Sequence, residues 1–229
     1  MKNPHAAAIV CTGPSIKELD RSLLRNYTGM VYAVNWAVRI GHKIGADIFF
    51  AQDGAWLMTE KDCKCVVRGK CKPCIGLRGR PKDILRFGRI YRVGDMATLP
   101  SMFRNAQIYR LAGNASVGGF QKRKNRLPGY NSGFSAINLA LHHGAKRIVL
   151  LGFDCSRSDD AYWPERKNTA RDNEPRKAWR AWINDLALMQ LKTIWNAEVV
   201  NGTPQSHCDK FRITTPEEGL QWSVSRGTR

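Results

Sequence analysis

The sequence predicts an α/β protein: a doubly wound, mostly parallel sheet carrying a basic, cysteine-rich insertion. Three observations predict it. Short apolar runs alternate with helical segments at both ends of the chain, the pattern of β-α-β units. The first run, residues 6–11 (AAAIVC), is apolar throughout and bounded by a turn, as in a strand buried on both faces. The middle, residues 54–126, loses this periodicity and becomes rich in Lys, Arg, Gly and Cys.

The elements follow in order. After the 6–11 strand, Gly13 allows a close backbone approach and Pro14 fixes the next turn. Ser15 and Glu18 form a capping-box pair, so a helix is expected over 15–25, opening at Ile16. Strands are expected at 30–35 (MVYAVN) and 47–52 (DIFFAQ), with a helix at 36–43 between them. Two weaker strands fall at 89–93 and 107–111. A helix at 133–143 leads into a strand at 147–152 (RIVLLG), then a polar loop over 156–174. A helix at 175–195 places Trp179, Trp182, Ile183, Leu186 and Ile194 near one face, expected to join the core. A strand at 197–200 and a helix opening at Thr214-Thr215-Pro216-Glu217-Glu218 complete the chain. The expected organisation is one domain made of residues 1–60 and 127–229, interrupted by an insertion over 61–126, with no internal repeat.

The 229 residues carry a net charge of +18, very unevenly spread. Between Lys61 and Arg126 there are 17 Lys/Arg against 3 Asp/Glu, a net +14, which leaves only +4 for the rest. A basic segment on a nearly neutral scaffold implies a polyanionic partner, nucleic acid first and an anionic membrane or glycan second. Arg68, Lys70, Lys72, Arg78, Arg80, Lys122, Arg123 and Lys124 are the candidate contacts. No apolar run approaches a membrane span, and the chain enters its first strand without a signal-peptide core, so a cytoplasmic protein is expected. Four of the seven cysteines crowd into residues 63–74. Cys63-x-Cys65 and Cys71-x-x-Cys74 suit a tetrahedral structural zinc site that would order a like-charged loop, with free or redox cysteines as the alternative. Cys11, Cys155 and Cys208 stand singly and read as packed thiols.

In open α/β sheets, ligands bind beyond the carboxyl ends of the strands. The residues expected there are Gly13, Pro14 and Ser15 after the first strand, Asn35 after the second and Asp53 after the third. Asn131, Ser132 and Gly133 open a helix, and Asp154 closes the strand that follows. A Gly-containing corner at a helix start leaves backbone N–H groups that favour anions. Neither a P-loop lysine nor a G-x-G-x-x-G fingerprint is present. These positions together predict one shared ligand site.

"VCTGPSIKELD", the Asn35 strand end and "NSGFSAINLALHHGAKRIVLLGFD" resemble the family that joins sialyltransferases of the Campylobacter type with archaeal pterin pyrophosphokinase-like proteins. The resemblance covers residues 6–53 and 129–155, with a weaker tail around 199–220, and excludes the basic segment. It implies a Rossmann-like fold and a nucleotide donor between the Gly-Pro-Ser corner and the Ser-Gly helix. By that similarity Gly13, Pro14 and Ser15 approach the donor phosphates. Asn35 and Asp53 orient phosphate or the transferred group, and Asn131, Ser132 and Gly133 border the nucleoside. The sialyltransferases carry a catalytic histidine in the segment after the Gly-x-Asp strand, whereas residues 155–206 here contain none. His207, Asp154, Asp159 and Asp160 are the candidate bases. The combined expectation is a nucleotide-sugar-dependent glycosyltransferase. A zinc-stapled basic module would present a nucleic-acid acceptor to it, as in modification of DNA bases in a virus. A phosphoryl transferase using ATP and Mg²⁺, with Asp53 and Asp154 as ligands, is the enzyme alternative. A nucleic-acid-binding protein on a disused transferase fold is the non-enzyme one.

Overall fold

Among the described residues, nine strands form a single parallel sheet: β1 (Asn3–Val10), β2 (Gly29–Val34), β3 (Ile48–Ala51), β4 (Lys72–Leu77), β5 (Gln107–Leu111), β6 (Arg126–Leu127), β7 (Arg147–Leu151), β8 (Glu198–Asn201) and β9 (Arg212–Ile213). The computed structural model describes residues 2–51, 71–77, 107–111, 119–128, 131–155 and 184–225. The strand order is β6-β5-β4-β3-β2-β1-β7-β8-β9, and every neighbouring pair runs parallel. The chain therefore builds outward from β1 to one side, then returns to pair β7 on the other side. The β1–β7 junction is the point where the winding reverses.

Both faces of the sheet are covered, which is why its central strands read as continuous apolar runs. Ala6 to Val10 are fully buried. Ala6, Ala8 and Val10 face α1 (Arg21–Arg25), α2 (Val38–Ile44) and α5 (Pro216–Val224). Ala7 and Ile9 face α3 (Ser132–His142) and α4 (Asp185–Gln190). The last helix starts as its sequence dictates, with a capping box between Thr215 and Glu218 and Pro216 in the first turn. No helix among the described residues is long and apolar enough to cross a membrane.

Three expectations are corrected here. The segment expected as a separate insertion supplies β4, β5 and β6, which extend the sheet from β3. Cys71 packs into the layer formed by α1, α2 and α5, whereas Cys74 faces the α3 layer beside Phe50 and Tyr109. The described residues place Cys71 and Cys74 in different layers, so the four-cysteine zinc site finds no support among them. Burial pushes the Cys74 thiol up to about 12, which suits a packed, protonated sulfur. Cys63 and Cys65 lie outside the described residues, among which no group of three His, Cys, Asp or Glu side chains could hold a metal. Lastly, α4 buries Ala187 and exposes Leu186, and the π-helical turn that continues it, Leu191–Trp195, buries Leu191 and exposes Ile194. The true apolar stripe is one residue out of phase with the expected one; Trp179, Trp182 and Ile183 lie outside the described residues.

Candidate active site

The pairing of β1 with β7 continues past both strands. Cys11 N–H donates to Leu151 O at 2.8 Å, and Gly13 N–H to Gly152 O at 2.9 Å. This brings the Gly-Pro-Ser corner against Asp154, 139 residues away from Ser15 in sequence. Ser15 N–H donates to Asp154 Oδ1 at 3.1 Å and Ser15 Oγ to Asp154 Oδ2 at 2.8 Å. A Cβ on Gly13 would stand 1.8 Å from Asp154 Oδ2 and 2.6 Å from Gly152 O, so only glycine permits this approach.

The expected capping box is therefore absent, because the Ser15 hydroxyl serves Asp154 instead. Pro14–Lys17 is a single 3-10 turn, and α1 starts later on Asp20, whose side chain accepts from Ser22 N–H at 2.8 Å. The corner is also not an open anion cradle: the Gly13, Ser15 and Ile16 N–H groups all bond within the protein, the last to Gly13 O. Asp154 is 7% exposed. Burial raises its pKa, while the two Ser15 bonds oppose the rise. This carboxylate clasps the corner and has both oxygens engaged.

One strand over, Asn35 follows β2 with φ +52°, a left-handed conformation that costs a side-chain-bearing residue. It is 8% exposed, and its Oδ1 has no hydrogen-bond partner among the described residues. A buried carbonyl oxygen without a partner is expensive, and it coincides here with backbone strain at a strand end. Asn201, the last residue of β8, shares the unpartnered oxygen but not the strained backbone. It is fully buried, its Nδ2 donates to Phe153 O at 3.3 Å, and its Oδ1 is unpartnered. The sequence reading missed Asn201, although "EVVN" repeats the strand-then-Asn signal of "YAVN".

Asn131 caps α3, accepting from Gly133 N–H at 2.8 Å and Phe134 N–H at 3.2 Å. Ser132 sits buried in the first turn. A Cβ on Gly133 would lie 2.8 Å from Phe153 and 3.2 Å from Cys11 Sγ, so Gly133 lets α3 seat against the ends of β1 and β7.

His207 arrives at the same place from the loop after β8. Ser206 Oγ donates to Phe153 O at 2.6 Å, and His207 N–H donates to Asp154 O at 2.8 Å. The histidine is exposed, so its ring can meet solvent beside the end of β7. Gly13, Pro14, Ser15, Asp154 and His207 thus converge on one junction, with Asn131, Ser132 and Gly133 on the helix seated against it. Asn35 lies at the neighbouring strand end. Asp53, Asp159 and Asp160 lie outside the described residues, as do Arg68, Lys70, Arg78 and Arg80. Lys72 is exposed at the start of β4, and Lys122, Arg123 and Lys124 are exposed in the turn leading into β6. These four cations stand on the amino-terminal side of their strands, away from the edge that carries Asp154.

No protein-family model matches the chain, and no curated protein matches its sequence. Solved structures do. The α-2,3-sialyltransferase Cst-I of Campylobacter jejuni aligns over 95% of this chain and 82% of its own at 15% identity, with a TM-score of 0.55. The sialyltransferase CstII of Campylobacter jejuni, solved in complex with the substrate analogue cytidine-5'-monophosphate, aligns over 92% of this chain and 85% of its own, at 14% identity and a TM-score of 0.53. The fold is that of the sialyltransferases. The MAf glycosyltransferase of Magnetospirillum magneticum shares it at 15% identity and a TM-score of 0.55, across 97% of this chain and 38% of that longer one.

Proposed function

We propose that the chain is a glycosyltransferase that takes its sugar from a nucleotide and passes it to a nucleic-acid acceptor. The observation that carries the reading is the buried, unpartnered Asn35 oxygen beside the winding reversal of a fold shared with enzymes solved with CMP. An orphan acceptor suits a ligand donor, either a sugar hydroxyl or a nucleobase amino group, rather than the phosphate itself. Ser132 borders the nucleoside. In the reaction the acceptor group loses its proton to the His207 imidazole as it attacks the anomeric carbon. The bond from that carbon to the donor phosphate breaks, and the nucleotide leaves. Asp154 is a positioning residue, since it acts through Ser15. That role also disfavours it as a Mg²⁺ ligand in a phosphoryl-transfer alternative, because both oxygens are already engaged.

The nucleic-acid half rests on charge. Fourteen of the eighteen net positive charges fall between Lys61 and Arg126. Thermal-shift measurements with CMP, CMP-, UDP- and GDP-sugars, and ATP with Mg²⁺, test the donor. A nucleotide at 100 times its Kd adds about 2.7 kcal/mol. A shift with one nucleotide sugar alone supports the reading; a shift with ATP and Mg²⁺ alone replaces it with phosphoryl transfer. Duplex binding with a log–log salt slope near −5, as six phosphate contacts give at roughly 0.9 each, supports the acceptor. Retention of that slope after Lys122, Arg123 and Lys124 are reversed to Glu would remove those three from the contact surface.

A further inference from the structure

We infer that a nucleic-acid backbone docks on one continuous basic surface at the carboxyl-terminal end of α3, built by the turn before β6 together with Lys146, Arg147 and Lys192. The inference deepens the nucleic-acid half of the proposed function and rests on it. A charge count along the sequence hides this surface, because the last three cations belong to the nearly neutral remainder of the chain. Folding joins them to the basic segment. His142, the last residue of α3, meets Arg126 O through its Nε2 at 3.1 Å. Its ring stands edge-on to Trp195, with the ring centroids 5.2 Å apart. Lys146 Nζ in turn donates to Trp195 O at 2.5 Å. The turn carrying Lys122, Arg123 and Lys124 and the start of β7 thus flank the same helix end.

Lys146, Arg147 and Lys192 line a cleft of about 280 Å³, with Glu198 as its one carboxylate among the described residues. Lys122, Arg123, Lys124, Lys146 and Lys192 are exposed, and none of them, nor Arg147, forms an ion pair with a described residue. One of the three Lys146 ammonium N–H groups is used at Trp195, which leaves two. Arg147 Nη1 donates to Trp222 O at 3.2 Å, which fixes the guanidinium at the cleft. Unopposed cations in a recess suit a phosphate carried on a narrow ridge, as on a nucleic-acid strand. A flat lipid surface would reach the rim and not the floor. Position gives the surface its role. α3 is 11 residues long, about 16 Å at 1.5 Å per residue, and the Gly133 end seats against the donor corner. Phosphates held here would lie about five base pairs, at about 3.4 Å each, from the base presented to the donor. The surface is an anchor and not the acceptor pocket.

Fluorescence anisotropy of a labelled duplex with the full chain, titrated across salt, tests this. Lys146→Glu with Lys192→Glu should lower duplex affinity about tenfold at low salt and flatten the log–log slope by about 1.8, at about 0.9 per contact. Arg25→Glu with Lys43→Glu makes the same charge change in the helix layer on the opposite face of the sheet, and should leave the slope unchanged. Lys192→Glu alone spares the Lys146 bond to Trp195, so the test stands even if the first pair loses stability; it should flatten the slope by about 0.9. Equal losses in the two paired variants would overturn the inference in favour of undirected charge. Stronger binding to phosphatidylserine vesicles than to duplex, lost with Lys146 and Lys192, would overturn it in favour of a membrane contact. An unaltered slope in a wild type that does bind duplex would sink this inference alone. No duplex binding by the wild type would sink the nucleic-acid reading with it.

Discussion

Two neighbouring strand ends on one sheet edge behave in opposite ways. At the end of β1, the N–H groups of Gly13, Ser15 and Ile16 and the Ser15 hydroxyl are all bonded within the protein. At the end of β2, Asn35 holds a strained backbone and leaves its oxygen without a partner. The corner that looked most like a ligand cradle has its donors taken up within the protein, and the asparagine beside it holds an acceptor oxygen that no described residue meets. A Gly-rich corner identifies a close approach; the identity of what approaches comes only from the rest of the fold. Here it is the protein's own carboxylate.

The comparison can be broken most forcefully at Gly13. Gly13→Ala sets a methyl group against Asp154 Oδ2 and Gly152 O, and should destabilise by about 3 kcal/mol, the upper end for overpacking. A denaturation midpoint equal to wild type would show that the corner yields easily. Next, Asp154→Ala strands the Ser15 N–H and hydroxyl and should cost about 2 kcal/mol. Asp154→Asn, which can still meet both groups once the hydroxyl rotates, should recover most of that loss. If instead Asn abolishes turnover while stability is kept, the carboxylate's charge works on the reaction and the positioning role fails. Asn35→Gly sharpens the other side. Glycine accepts a positive φ and removes the orphan oxygen, so stability should hold or rise by up to about 1 kcal/mol. Nucleotide affinity should fall about tenfold, equivalent to about 1.4 kcal/mol. Unchanged affinity by calorimetry would make the strain merely structural.

The smallest expected effect lies at the opposite edge of the sheet. His143 bridges the Tyr32 hydroxyl at 2.9 Å and the Tyr109 hydroxyl at 3.2 Å, and its neighbour His142 contacts Arg126 O at 3.1 Å. Burial, chiefly, holds both imidazoles below the usual histidine value of 6.5, with Lys72 and His142 adding to the effect at His143 and Lys124 at His142. The unfolded chain then binds these protons more readily than the folded one. Stability from this edge is complete above about pH 6.5 and declines as pH falls through and below that value. Urea midpoints at pH 7.5 and 5.5 check it; equal midpoints would show that both rings titrate normally.

The central strands were legible because residues 6–10, 31–34, 48–51 and 148–151 are apolar along their whole length, a local signal for strands covered on both faces. β4 was not: Lys72, Pro73 and Gly76 interrupt its apolar run, and pairing with β3 on one side and β5 on the other makes the segment a strand. The apparent capping box failed for a related reason. Ser15 and Glu18 have the right spacing, yet the winning partner of Ser15 is 139 residues away, beyond any local pattern. The strand-end logic did collect Gly13, Asn35, Asn131 and Asp154 on one edge, because topology alone puts residues after parallel strands together. The α4 stripe was misread because large apolar residues were counted as its core face, while small Ala187 made the contact.

The clasp between Ser15 and Asp154 also dictates a timetable. A ribosome delivers β1, β2 and β3 early, and these can pair with one another as they emerge. The partner that closes β1 on its other side, β7, follows only after more than half of the chain has been made. Until then β1 presents a bare parallel edge, and the Gly-Pro-Ser corner has no carboxylate to hold it. Such long-range parallel pairing is slow, because chain entropy must be lost before the contact forms. Nascent chains halted before Asp154 should therefore be the species most dependent on holding chaperones, and emergence of β7 is the step that releases them.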